Sequence, residues 1–298
     1  MINQGAESLF SGKMENYPGT LFIVSTPIGN LGDITLRALE TLRKVDIIAA
    51  EDTRKTRKLT SAYHISTPLI SYHEHNKRQR GKYLLTLLQQ GKSIALVSDS
   101  GTPGISDPGA DLILEVLREE IPIVPLPGPC ALITALIISG LPTPSFVYEG
   151  FLPRSGKKRR EKLEKLADVT QTIILFEAPT RLINTLEEIS QLWGERKAAI
   201  SRELTKKFEE VRRGKISELL TYYRNHPPRG EICIVLEGKT EKIFSTIPPI
   251  EEQLLALFRE GLSLREAVKI VTRNKKISKR EVYQQAIKLK SRTDETSG

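Results

Sequence analysis

Three glycine- and proline-rich segments hold the residues whose types and spacing could do chemistry: STPIGNLGD (25–33), SDSGTPGISDPG (98–109) and PLPGPCALITAL (125–136). Glycine lets a backbone approach a ligand closely, and proline holds a loop in shape without adding a donor. Such loops can present amides and carbonyls to a small molecule, although each alone reads equally well as a tight strand-to-helix turn. None has the GxGxxG spacing with an acidic residue about twenty positions on, and GxxxxGK[ST] does not occur, so dinucleotide and P-loop sites lose ground.

Charged groups lie nearby in the chain. Glu51 and Asp52 are followed at once by Arg54, Lys55 and Arg57. An acid beside a base can accept a proton and hold a phosphate; the same pattern also starts a helix, whose N-terminus favours acids. His73, Glu74, His75 and Asn76 form a second polar group. Two histidines at i, i+2 without a third clear ligand argue poorly for a metal, so none is assigned, and His75 and Asn76 read as a substrate-side pair. Glu177 with Arg181, and Arg202 with Glu203, could grip a nucleotide or form ordinary ion pairs between domains.

The elements that must position these groups follow from periodicity. LFIV (21–24), DIIAA (46–50), IALV (94–97) and IPIV (121–124) are continuous apolar runs, the pattern of strands buried on both faces. Leu36, Leu39 and Leu42, then Leu112, Ile113, Val116 and Leu117, recur between them at helical spacing. This alternation predicts an α/β fold with a mainly parallel sheet, whose carboxyl edge gathers the loops and binds ligands. An apolar helix at 129–139 and the break at Pro142 and Pro144 precede a second α/β unit. Its expected strands are 145–149, 172–176, 197–201, 207–212 and 231–236, and its helices 157–167 and 180–192. The 197–212 pair reads as antiparallel, making this a mixed sheet. Thr240 to Pro249 reads as a linker. Helices follow at 250–260, 263–273 and 278–290, with Ser263/Glu266 and Ser278/Glu281 as capping boxes. The expected organisation is a flexible leader 1–18 (Met14 being an alternative start), α/β domains at 19–142 and 143–240, and a helical appendage at 250–291.

Composition narrows the class. With 298 residues, 39% hydrophobic and 27% charged, the chain is too apolar for wholesale disorder and long enough for about two domains. No apolar run approaches the ~20 residues of a membrane span, and no secretory signal opens the chain. Cys130 and Cys233 are isolated, which fits a reducing cytoplasm. The net charge of +9 is unevenly placed. Residues 154–165 hold seven bases and two acids, and residues 265–292 hold ten bases and two acids, leaving the rest of the chain acidic. Two such clusters favour a polyanionic partner over two solvated helix faces. Neither has interleaved aromatics, so phosphate contact is expected rather than base stacking.

Seven segments in order give a more specific reading: STPIGNLGD, AEDTRKT (50–56), SDSGTPGISDPG, PGPCAL (127–132), EGFLPR (149–154), FEAPTR (176–181) and SREL (201–204). This series, spread over nearly the whole chain from about Gly19 to Lys290, resembles the bacterial 16S ribosomal RNA cytidine ribose 2′-O-methyltransferases, a branch of the tetrapyrrole-methylase superfamily. The resemblance implies two α/β domains with S-adenosylmethionine in the cleft between them, a homodimer, and a cytidine 2′-hydroxyl of the small subunit's RNA near the decoding centre as substrate. It implies cofactor contacts from Pro27 and Gly29 in the first loop, from Asp99, Gly101, Thr102, Pro103, Ile105 and Ser106 in the second, and from Gly128, Pro129 and Cys130 in the third. The first loop departs from the superfamily's glycine-proline-glycine turn, and Cys130 stands where relatives commonly have Ser.

Glu51, Asp52 and His75 are then the candidates for proton transfer. Arg154, Lys157, Lys158, Arg159 and Arg160 are candidates for RNA contact, because EGFLPR runs from the cleft straight into the basic stretch; Arg54 joins them as a phosphate holder, and Glu177, Arg181 and Arg202 as a nucleotide grip. Methylation of a tetrapyrrole carbon, and a non-catalytic RNA-binding assembly factor, remain the competing readings.

Overall fold

The four apolar runs of the first half, joined by Leu69–Ser71, make one parallel sheet in the computed structural model, which describes residues 19–240, 249–273 and 278–295. The expected leader, and 241–248 of the expected linker, lie outside the described residues. The strands are β1 (Leu21–Val24), β2 (Ile47–Ala50), β3 (Leu69–Ser71), β4 (Ile94–Val97) and β5 (Ile123–Leu126), in the order β3-β2-β4-β1-β5. The last starts two residues later than its apolar run suggests. Helices α1 (Leu36–Lys44), α2 (Thr53–Ala62), α3 (Lys77–Gln89) and α4 (Ala110–Arg118) cover the sheet.

Both faces are packed, which is why the strands read as unbroken apolar runs. Phe22, Val24, Ile48 and Ala50 meet Leu39, Leu42 and Leu59 of α1 and α2 on one face. Leu21, Ile23, Ile94 and Leu96 meet Leu84, Leu88, Leu112 and Val116 of α3 and α4 on the other. The chain leaves β1 for β2 on one side and later places β5 on its other side. The strand order therefore reverses beside β1, where open α/β sheets bind ligands.

Helix α5 (Ala131–Ser139) belongs to the first half by sequence but packs on the second sheet. Leu132, Ala135 and Leu136 cluster with Ile174, Ala199, Cys233 and Val235. That sheet contains β6 (Phe146–Phe151), β7 (Thr172–Glu177), β8 (Lys197–Arg202), β9 (Glu210–Lys215) and β10 (Ile232–Leu236), ordered β6-β7-β10-β8-β9. Only β6 and β7 run parallel, so the sheet is mixed, and β8 with β9 is the antiparallel pair expected. The pair begins three residues late on its second strand. Glu203 and Thr205 take positive φ (52° and 65°) and the Thr205 amide binds Glu209 Oε2 at 2.6 Å, so 203–209 forms a turn instead. Helices α6 (Lys157–Ala167), α7 (Leu182–Trp193) and α8 (Ile216–Asn225) cover the sheet's other face; the last has no counterpart in the periodicity reading. Helix α5, from before the expected boundary at 142/143, packs on the sheet that follows it, and both sheets fall in one compact unit that ends at Lys239.

Residues 240–298 form a second unit. Its helices α9 (Ile250–Arg259), α10 (Leu264–Arg273) and α11 (Lys279–Glu295) share a core of Leu254, Val268, Val271, Val282 and Leu289. The Ser263 capping box is formed: Glu266 accepts from the Ser263 amide at 3.0 Å and its hydroxyl at 2.6 Å. At the second expected box, the Ser278 carbonyl accepts from the Glu281 and Val282 amides.

Candidate functional site

The loops after β1, β4 and β5 are stitched to one another at the sheet's carboxyl edge. Thr26 and Gly101 exchange backbone hydrogen bonds of 2.8 and 3.0 Å. Ser25 Oγ lies 2.9 Å from Thr102 Oγ1, which also donates to the Pro129 carbonyl at 3.2 Å. Gly128 is needed here for space: a Cβ on it would lie 2.8 Å from the Ser25 Cβ. A methyl there would thus pry the first and third loops apart.

Against these loops, the carboxyl ends of β7 and β8 and the start of β10 close a cleft of about 400 Å³. Of the expected cofactor residues, Asp99, Gly101, Thr102, Ile105, Ser106 and Cys130 line it. Pro27, Gly29, Pro103, Gly128 and Pro129 belong to the same loops but not to the cleft wall. Gly29 instead backs onto the second half of the unit, where a Cβ would fall 2.3 Å from Lys206 Cγ. The wall includes groups that sequence reasoning missed: Ile28 between the two first-loop candidates, and Phe151, Phe176, Leu204 and Cys233 on the opposite side.

The polar end of the cleft is built from β2 and β4. Glu51 Oε2 accepts the Asp99 amide at 3.2 Å; Asp99 accepts the Asp52 amide at 2.9 Å and Lys55 Nζ at 2.8 Å. Burial holds the Glu51 carboxyl above its usual range, and hydrogen bonding to Asp99 keeps the Lys55 ammonium protonated. Asp107, four residues beyond Pro103, also lines the cleft. Desolvation, then the charge of Glu51, pushes its carboxyl up to about 7.

Other candidates are placed elsewhere. Asp52 caps α2, accepting the Arg54 amide at 2.9 Å and its guanidinium at 2.8 Å, and those bonds hold its carboxyl well below the usual range. It is a helix cap rather than a proton acceptor in the cleft. His75 is exposed and away from the cleft lining. Asn76 folds the β3–α3 turn by accepting the His73 amide at 2.8 Å and donating to the Ser71 carbonyl at 3.2 Å.

The basic stretch divides in two. Arg154, Lys157, Lys158 and Arg160 are exposed; Lys157 and Arg160 pair with Glu161 and Glu164 one turn on. Arg159 is only 5% exposed, so it cannot reach an RNA phosphate. Its guanidinium binds Glu188 at 2.7 Å, Thr185 Oγ1 at 2.8 Å and the Pro153 carbonyl at 3.0 Å. Glu177 is equally enclosed and lines the cleft floor. It takes hydrogen bonds from Thr185 Oγ1 at 2.7 Å and the Ala178 amide at 2.8 Å, with Arg181 at 2.5 Å. Arg159 and Glu177 fix the loops after β6 and β7 and are unavailable as an RNA grip. Arg202 sits opposite Glu210 on β9 and pairs with it at 3.1 Å, a cross-strand bridge.

A third basic stretch escaped the sequence reading because its bases are spread over two helices. Residues 53–92 hold nine bases and one acid. Arg57, Lys58, Arg78, Arg80 and Lys82 are exposed on α2 and α3, which follow the neighbouring strands β2 and β3.

The cleft suits a nucleoside-sized cation. Its walls are largely apolar, backbone groups rim it, and the carboxylates of Glu51, Asp99 and Asp107 set a negative field at one end. Comparison with known proteins identifies the lineage. The model of the tetrapyrrole (corrin/porphyrin) methylases matches residues 20–220. The chain belongs to that family. It is 45% identical to the ribosomal RNA small subunit methyltransferase I of Halalkalibacterium halodurans over 273 residues, 89% of this chain and 93% of the relative. It is 50% identical to the protein of the same name from Thermotoga maritima over 221 residues, 74% of this chain and 99% of the relative. A solved uroporphyrin-III C-methyltransferase from Thermus thermophilus, in complex with S-adenosylhomocysteine, shares the fold. Its TM-score is 0.54 at 17% identity, covering 73% of this chain and 96% of that one.

The protein is therefore a methyltransferase of this family, and S-adenosylmethionine is its cofactor. The donor set fits it: carboxylates suit the sulfonium, and the apolar walls around Ile28, Ile105 and Phe176 suit adenine. That cofactor supplies an already activated methyl group, so the chain's task is position and proton removal.

Proposed function

We propose that this protein methylates the 2′-hydroxyl of a cytidine ribose in 16S ribosomal RNA, near the decoding centre, acting on the small subunit as a homodimer in the cytoplasm. The observation that carries the reading is the pairing of the cofactor-type cleft with exposed bases beside it. Arg154 stands three residues after Phe151, the last residue of β6, and Phe151 lines the cleft. A tetrapyrrole has no long phosphate backbone for Arg154, Lys157, Lys158 and Arg160 to engage, whereas RNA does. The names of the relatives at 45% and 50% identity support the same substrate class. Exposed Ile133 and Ile137 on the otherwise packed helix α5 offer apolar surface that a second copy would cover.

In this reading Gly101, Thr102 and Cys130 flank the cofactor, while Ile28 and Phe176 enclose it and keep water out. Glu51, engaged with the Asp99 amide, shapes the electrostatics of the polar end. The deciding experiment supplies radiolabelled S-adenosylmethionine and under-methylated 30S particles, then maps the label. The expected result is one 2′-O-methylcytidine in 16S RNA. Binding of S-adenosylhomocysteine without incorporation into RNA would overturn the reading. Sedimentation or light scattering reports the dimer.

A further inference from the structure

The cleft carries more carboxylate than its lysine can neutralise. Glu51 at the end of β2, Asp99 and Asp107 in the loop after β4, and Glu231 just before β10 all line it, together with Lys55 of α2. Three of these carboxylates are engaged already. Glu51 takes the Asp99 amide at 3.2 Å, Asp99 takes Lys55 Nζ at 2.8 Å, and Glu231 pairs with Lys206 at 3.1 Å. Asp107 differs: among the described residues no cation pairs with it, and the neighbouring Ser98 hydroxyl donates to the Ser100 and Gly101 carbonyls, each at 3.2 Å.

Asp107 is also held in place at a cost. Ser106, immediately before it, adopts φ +63°, in the left-handed region that side-chain-bearing residues avoid. Gly104 and Gly109 on either side have φ +83° and +146°. The strained turn is pinned from the other sheet, since Ser106 Oγ lies 2.5 Å from the Tyr148 hydroxyl of β6. Strain that the surroundings enforce is common where a side chain must be aimed.

The geometry points to Asp107 as the group that takes up the proton released by the RNA hydroxyl during methyl transfer, an assignment that rests on the ribose-methylation reading above. In that step the ribose O–H bond breaks and the proton passes to a carboxylate oxygen of Asp107. The ribose oxygen keeps the electron pair and bonds the methyl carbon, as the carbon–sulfur bond breaks and its pair stays on sulfur. The surroundings suit the task. Burial, then Glu51, Asp99 and Glu231, hold the Asp107 carboxyl up to about 7, where a carboxylate can both accept and give up a proton near neutrality. The other titratable groups on the cleft wall are Lys55, Cys130, Glu177 and Cys233, and Tyr148 reaches the Asp107 loop through Ser106. Burial keeps the tyrosine hydroxyl protonated, and Asp99 holds the lysine cation.

The test uses the full chain, 30S particles, and the variants Asp107→Asn and Glu51→Gln. Wild-type transfer should rise with pH through about 7. Asp107→Asn should lose that limb and fall by about 10²- to 10⁴-fold in rate, with S-adenosylhomocysteine affinity by calorimetry kept within about twofold. Carbon-13 NMR of labelled aspartate in the free protein provides a readout independent of turnover. A carboxyl signal that is absent in Asp107→Asn should titrate near the kinetic midpoint, and Glu51→Gln, by removing a neighbouring negative charge, should move both to lower pH. An Asp107→Asn enzyme that keeps the wild-type rate and limb overturns the assignment, as does an Asp107 signal titrating in the ordinary carboxylate range. Wild-type enzyme that labels no RNA at any pH overturns the ribose-methylation reading, and this assignment with it.

Discussion

The hydroxyl of Tyr148, on a strand of the second sheet, lies 2.5 Å from Ser106 Oγ, in a loop of the first. The bond closes the glycine-rich second loop against the opposite side of the cleft, and it holds Ser106 in its left-handed conformation. Tyr148→Phe removes it without changing the packing against Phe176. Losing one hydrogen bond of about 1 kcal/mol corresponds to a roughly fivefold weaker affinity if the loop loosens. Calorimetry with S-adenosylhomocysteine is expected to show that weakening, with the melting temperature nearly unchanged. An unaltered affinity means that the loop keeps its shape without Tyr148.

Arg159 and its exposed neighbours make opposite predictions. Arg159→Ala takes the guanidinium from Glu188 and Thr185, leaves Glu177 with Arg181 alone and empties a buried position, so denaturant unfolding should show a loss of about 3 kcal/mol or more. Charge reversal at Arg154 and Lys158, both exposed, should leave unfolding within ~0.5 kcal/mol of wild type. The same reversal should weaken RNA binding and flatten its dependence on salt, because fewer counterions are released. RNA affinity that is indifferent to both reversals would move the RNA to another surface, with the exposed bases of α2 and α3 the next to test.

The contrast shows what a linear reading can and cannot resolve. A run of bases looks uniform in sequence, but Arg159, Leu163 and Leu166 share one helix face at i, i+4 and i+7, and all three are buried. That period is a signal that could have separated Arg159 from Lys158. The parallel sheet was legible because its strands are apolar on both faces, and the loops because glycine and proline mark them. The far wall of the cleft was not. Ile232 and Cys233 reach it through antiparallel pairing of β10 with β7 and β8, a long-range register that local pattern does not encode. Asp107 lay within a quoted segment, but its isolation from cations is a property of three dimensions.

Gly128 gives a purely steric prediction. With a Cβ 2.8 Å from that of Ser25, Gly128→Ala must push the third loop off the first. The expected cost is about 1–3 kcal/mol of stability, as for overpacking, with a larger loss of cofactor affinity than Tyr148→Phe produces. Gly156→Ala is the control for backbone effects: φ is +80° there, but no atom lies within 4 Å of the added methyl. Thermal melts and calorimetry on the two variants separate crowding from strain.

Stability should also depend on pH through Asp107. Its folded carboxyl holds a proton up to about 7, whereas in the unfolded chain it releases that proton near 3.8, the ordinary aspartate value. Between those values the folded state binds the extra proton, so this contribution to stability is complete below about pH 4 and is lost as pH rises through 7. Asp107→Asn cannot ionise. Its melting temperature should therefore exceed that of wild type at pH 8, by the equivalent of about 2 kcal/mol after allowing for solvent, and the gap should close by pH 4. Parallel curves across that range would place the Asp107 carboxyl in the ordinary range.

The helical unit offers a cleaner separation of folding from binding. The Thermotoga maritima relative is matched over 99% of its length by 221 residues, fewer than the 239 residues of the unit that contains both sheets. A chain of that size has no room for a counterpart of α9 to α11, so the two-sheet unit should fold without them. Their core of Leu254, Val268, Val271 and Val282 is likewise internal to the helical unit. Ending the chain at Lys239 should accordingly preserve the melting transition and the S-adenosylhomocysteine affinity. It also removes residues 265–292, with their ten bases and two acids, so RNA affinity at low salt should fall and its salt slope should become shallower. A truncated enzyme that binds and methylates 30S particles as well as the full chain would leave those charges with a purely solvating role.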